Sequence, residues 1–129
     1  MKLKYVYQGS NNYIADLAFY RDQLGAKKIW EFAAFGANVA ALELEGQPLI
    51  LLNDHSSETR LIYVVDNIET MLETLREKGL KLEGEAPTPT GTCHLFSSPS
   101  GSHFAIMQET RPNAMLEAFN AANPSARLE

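Results

Sequence analysis

Along the first half of the chain apolar residues alternate, then recur every three or four positions, then alternate again. In "LKYVYQ" (residues 3–8) Leu3, Tyr5 and Tyr7 hold alternate positions, the period of a strand with one covered face. Gly9-Ser10-Asn11-Asn12 supplies a turn rich in helix-capping side chains. Tyr13, Leu17, Tyr20 and Leu24 follow at helical spacing, and Gly25 stops the helix. Three strand-like runs come next, "KKIWEFAAF", "NVAALELE" and "QPLILLN", punctuated by turns at Gly36 and Glu45-Gly46.

The same order returns in the second half. "RLIYVVD" (60–66) reads as a strand, and Asp66 with Glu69 has the spacing of a helix-capping pair. Ile68, Met71, Leu72 and Leu75 make a buried stripe that Gly79 closes. "LKLEGE", "GTCHLFSS" and "HFAIMQE" follow as strands, separated by turns at Pro87 to Gly91 and at Ser100-Gly101. Gly25 and Gly79 lie 54 residues apart, and that offset also sets Ile14 over Ile68, Leu17 over Met71, Ala18 over Leu72 and Lys27 over Lys81. The pattern predicts an α+β fold of two β-α-β-β-β modules, about 3–53 and 60–108, joined by a polar linker at 53–59 within a single domain spanning 1–129. One helix covers one face of a four-stranded sheet, so the modules must share the other face as a cup. "PNAMLEAFNAAN" (112–123) predicts a closing helix with Met115, Leu116 and Phe119 on its apolar side.

Composition narrows the classes of function. Cys93 is the sole cysteine, so no internal disulfide or thiolate cluster can form, a usage suited to a reducing cytoplasm. The start "MKLKYVYQGS" lacks the apolar core of a signal peptide, and no apolar run nears the ~20 residues of a membrane span. Net charge is −5, and Lys27-Lys28 is the longest basic run, which argues against a nucleic-acid partner.

Three stretches resemble the vicinal oxygen chelate superfamily of glyoxalases, extradiol dioxygenases and bleomycin-resistance proteins. They are "FYRDQLGAKKIWE" at 19–31, "VVDNIETMLETLREKG" at 64–79, and "SSPSGSHFAIMQ" at 97–108, where serines stand in place of the aspartates and asparagine of the family's D-P-D-G-N turn. Together with the duplication, the resemblance covers residues 3 to about 108. It implies four metal-ligand positions, two per module, which here read Tyr5, Leu51, Arg60 and Ala105. Leucine and alanine carry no donor atom, arginine is a permanent cation, and a tyrosine would have to ionise. No metal or other cofactor is therefore expected. A rearranged metal site from Glu43, His94 and His103 is the alternative.

What remains is the wall of the cup. Tyr5 and Tyr7 share one strand face and Trp30 and Phe32 another, while Leu51, His103, Ala105 and Met107 add a mostly apolar floor. Arg60 would anchor a carboxylate or phosphate in place of the absent metal. These residues, with the resemblance to the bleomycin-resistance branch, which sequesters a drug without chemistry, imply metal-free binding of a small organic molecule. The expected ligand is aromatic and anionic, zwitterionic or cationic, and the expected assembly is a homodimer. The alternatives are a lyase, isomerase or oxygenase with an unorthodox metal site, a metal-independent catalyst using Arg60 and His103, and a partner-binding module. The catalytic residues of such an enzyme are not named by the sequence.

Overall fold

The alternating run at the start of the chain forms strand β1 (Lys2–Gly9) of a computed structural model that describes residues 1–34 and 37–122. Asn12 caps helix α1 (Tyr13–Ala18), its side-chain oxygen accepting from the Ala15 N–H at 3.2 Å. The helix runs on into a π-helical turn, Phe19–Gln23, before Gly25 turns the chain at φ 73°. Strands β2 (Lys27–Ala34), β3 (Ala37–Glu43) and β4 (Leu49–Asn53) complete the first module. The second has β5 (Thr59–Val64), α2 (Ile68–Glu77), β6 (Gly84–Pro87), β7 (Thr92–Ser97) and β8 (His103–Met107), and α3 (Ala114–Ala122) closes the described chain. The turn expected at Gly36, the last residue of the 112–123 helix and the closing Leu128-Glu129 lie outside the described residues.

Three local expectations are corrected. Leu24 follows Tyr13, Leu17 and Tyr20 at the spacing of one regular helix but is 48% exposed, because the π-helical turn inserts an extra residue and rotates Leu24 off the packed face. The cap of α2 is Asn67 rather than Asp66: its backbone is extended, and its side chain accepts from the Thr70 N–H at 3.0 Å. The strand read from Leu80 begins at Gly84, since Leu80 bonds back to the Leu75 carbonyl and packs on the α2 core.

All eight strands form one curved sheet in the order β2-β3-β4-β1-β5-β8-β7-β6. Each module contributes four neighbours. Its first and last strands pair in parallel, β1 with β4 and β5 with β8, and the modules meet at the antiparallel β1–β5 seam. The repeat is close enough that β4 becomes β8 when its bounds are moved by 54 residues. On the outer face Tyr13 and Leu17 of α1 pack on Ala40, Leu42 and Leu52. There too, Ile68, Met71, Leu72 and Leu75 of α2 pack on Val65, Phe96 and Ile106. The inner face carries Ile62, Cys93, Ala105 and Met107, with Tyr5 and Tyr7 against them.

Two irregularities shape that inner face. The β1–β5 register slips between Leu3 and Tyr5, and the β2–β3 register slips between Lys28 and Trp30. Lys4 and Ile29 are thereby bulged, and a bulge lets two successive side chains serve one face. The linker is pinned by Asn53, wholly buried, which donates to the Gln8 and Leu51 carbonyls and accepts from the His55 and Ser56 N–H groups. It passes so close to Gly9 that a Cβ there would lie 2.1 Å from the Ser56 carbonyl oxygen. Among the described residues no helix is long and apolar enough to cross a membrane.

Candidate functional site

The inner face of the sheet and α3 enclose a cavity of about 270 Å³. Strands supply Tyr5, Tyr7, Trp30, Leu51 and Met107, five of the residues expected from the sequence. The bulge at Ile29 adds that side chain beside Trp30, and Cys93 comes from β7. The mouth is covered by Met115 and Leu116 of α3 and rimmed by the turn Thr88-Pro89-Thr90. That turn holds the start of the covering segment, since the Thr90 carbonyl accepts the N–H groups of Thr110 and Arg111 at 2.9 and 3.1 Å. At the far end Phe119 meets Phe32 of β2 edge to face, ring centres 6.1 Å apart. Helix α3 therefore straps the cup from the second module to the first.

No charged side chain lines the cavity among the described residues, and its titratable groups are held neutral. Burial pushes the Tyr5 phenol well above its usual range. Its hydrogen bond to Glu109 and that carboxylate's charge push it further. Burial also raises Tyr7, with a smaller contribution from Asp54. The Cys93 thiol rises for the same reason, partly offset by the positive charge of Arg60. Behind the wall, Glu109 accepts from the Tyr5 hydroxyl at 2.6 Å and pairs with Lys4, which the bulge has turned to the same carboxylate. Glu109 escaped the sequence reading, although it continues the alternation of His103, Ala105 and Met107, and that continuation was the available signal.

Four expected site residues do not line the cavity. Arg60 donates from Nη1 of its guanidinium to the Phe104 carbonyl at 2.9 Å and is absent from the cavity lining. His103, its register partner, lies 3.3 Å from the Glu58 carboxylate near the strand start. Ala105 is fully buried under its neighbours, and Phe32 packs between Trp30 and Phe119. The catalytic pair Arg60 and His103 is thus not assembled in the cavity. Nor do Glu43, His94 and His103 converge: β7 turns His94 to the outer face, opposite Ile106, and no group of three such side chains suited to a metal forms among the described residues.

The positions that the resemblance assigns to metal ligands do not suit a divalent ion. The Tyr5 hydroxyl is committed to Glu109, Arg60 to a backbone carbonyl, and Leu51 and Ala105 offer no donor.

No protein-family model matches the chain, and no curated protein sequence does. Solved structures do. A hypothetical protein from Bacillus halodurans C-125 superposes with a TM-score of 0.72 at 18% identity, covering 85% of this chain and 95% of its own. Methylmalonyl-CoA epimerase from Mycobacterium tuberculosis gives 0.66 at 17%, covering 85% and 89%. A glyoxalase/bleomycin resistance protein/dioxygenase superfamily member from Vibrio splendidus 12B01 gives 0.64 at 17%, covering 81% and 95%. The chain has the vicinal oxygen chelate fold. At such identities the likeness is one of architecture, and any activity has to be read from the cavity itself.

Proposed function

We propose that the protein binds a small, neutral, flat organic molecule in the strapped cavity, without metal, in the manner of the bleomycin-resistance branch of this fold. The observation that carries this reading is a lining of mostly aromatic and aliphatic side chains with no charge among the described residues. Tyr7, Thr88, Thr90 and Asn113 give it a few polar groups for orientation. The volume suits a ligand of roughly ten to fifteen heavy atoms. An anionic ligand, which Arg60 would anchor, loses support because Arg60 does not line the cavity. The lone thiol suits a reducing compartment such as the cytoplasm. We also propose a homodimer, supported by Ile14, Phe19 and Leu24, exposed by 80, 48 and 48%.

Trp30 is the only tryptophan and lines the cavity, so its emission reports occupancy directly. Indole and coumarin should quench or shift that emission saturably and raise the melting temperature, while their carboxylated analogues bind at least tenfold more weakly. Equal binding of the carboxylated compounds would refute the neutral-ligand reading, and no response to any of them would refute the binding function for this size class.

A further inference from the structure

Adjacent residues of β7 face opposite ways: Cys93 enters the cup, and His94 looks to the outer face at the start of α2. There a depression of about 510 Å³ is lined by Asp66, Glu69, Glu85 and His94, with Thr92 and Gln108 beside them. It is separate from the strapped cavity and does not depend on that cavity's function.

The first turn of α2 does not make this an anion site. Two of its N–H groups are already engaged, Ile68 by the Gln108 side-chain oxygen at 3.0 Å and Thr70 by Asn67 at 3.0 Å, and the carboxylates of Asp66 and Glu69 stand beside them. Three carboxylates line the depression with no lysine or arginine among the lining residues, and among the described residues none of the three forms an ion pair with a lysine or arginine.

The second observation is His94. It is only 9% exposed, yet its sealed Nδ1 has no hydrogen-bond partner. Glu85 Oε1 lies 3.4 Å from it, near enough to orient the ring but outside hydrogen-bonding geometry. Nε2 has no hydrogen-bond partner among the described residues and, unlike Nδ1, is not sealed, and His94 lines the depression. With the proton on Nδ1 facing Glu85, Nε2 presents a lone pair. A donor arriving there would polarise the ring and draw Nδ1–H and Glu85 together, completing the contact that the empty arrangement leaves long. The lining side chains do not converge on a point suited to a bare metal ion, so the charge has to come on a molecule that spans them.

We propose that this depression is a second binding site, for an organic cation bearing a protonated amine, with His94 Nε2 accepting its N–H and Asp66, Glu69 and Glu85 surrounding its charge. Spermidine is the probe, 1,8-octanediol its uncharged counterpart, and the imidazole resonances of the full chain the readout. His55 and His103, the other two histidines, serve as internal controls. Spermidine should move the His94 resonances saturably and leave His55 and His103 in place, and octanediol should move none. Titration calorimetry, which does not need the His94 resonances, should show spermidine binding weakened about tenfold in His94→Gln and at least threefold in Glu69→Gln, the latter an exposed change that spares the fold. The proposal is overturned by the absence of saturation at His94. Equal shifts at all three histidines would overturn it too, since they signify diffuse attraction to an acidic protein. So would an equal response to octanediol or to Mg²⁺ alone, or unchanged affinity in Glu69→Gln.

Discussion

Asn53 shows how much a single polar side chain can organise when every atom of it is used. Its four hydrogen bonds tie β1, β4 and the linker at a point sealed from water. Asn53→Ala should cost on the order of 3 kcal/mol, measurable by denaturant unfolding, because the N–H groups and carbonyls it serves lose their partner where water cannot fully replace it. The tyrosines give a pH prediction. Tyr5 and Tyr13 are both raised by burial first and then by hydrogen bonds to Glu109 and Glu31. A raised folded-state value means that their stabilisation is complete below about pH 10, where unfolded tyrosine begins to ionise, and is lost as pH climbs toward the folded value. Melting temperature should therefore fall above about pH 10, and more gently in Tyr5→Phe and Tyr13→Phe. None of these partnerships was legible in the sequence. Residue type and period say which face a side chain takes, not that Arg60 will meet a carbonyl or that Glu109 will reach back to Tyr5 and Lys4.

At the scale of elements the sequence was far more legible. Period and a stop glycine announce α1 and α2, and alternation between turn residues announces most of the strands, because burial of one face is a local pattern. The exceptions are relations between elements. The bulges at Lys4 and Ile29 exist only in the pairing of two strands, and the π-helical turn after α1 depends on how that helix seats on the sheet. The expected closing helix is present, but its role as a strap is set by contacts at its two ends. That role predicts the behaviour of Cys93, buried beneath it with a raised thiol. At pH 8 Cys93 should react with a small maleimide at least tenfold more slowly than free cysteine. Leu116→Ala, which thins the cover, should speed the reaction; an equal rate in both proteins would show that α3 does not control access. Phe119→Ala should release the far end from Phe32, cost about 2 kcal/mol of stability and speed labelling as well.

For the molecule as a whole, the 54-residue offset foretold two like modules but not how they join. The seam could have been made by any pair of edges, and the choice of β1 and β5 follows from parallel pairing inside each module, which leaves those two strands outermost on facing sides. The apolar groups left outside, Ile14, Phe19 and Leu24, support the proposed dimer. Light scattering should then report twice the 14.3 kDa chain mass at micromolar concentration, and Ile14→Glu should shift it toward one.

An antiparallel seam between like halves has the symmetry of a contact between two identical free-standing chains. Such a contact would weaken on dilution, because each partner must find the other. Residues 54–58 span the seam in one short step, and a tether of that length holds its ends at an effective concentration on the order of millimolar. The cup is thus closed by an association that no longer depends on how many molecules are present. A duplication that fused two such halves would have made a concentration-dependent assembly into a unimolecular one. It would also have freed each half to diverge, as the inner-face pair Leu51 and Ala105 has done.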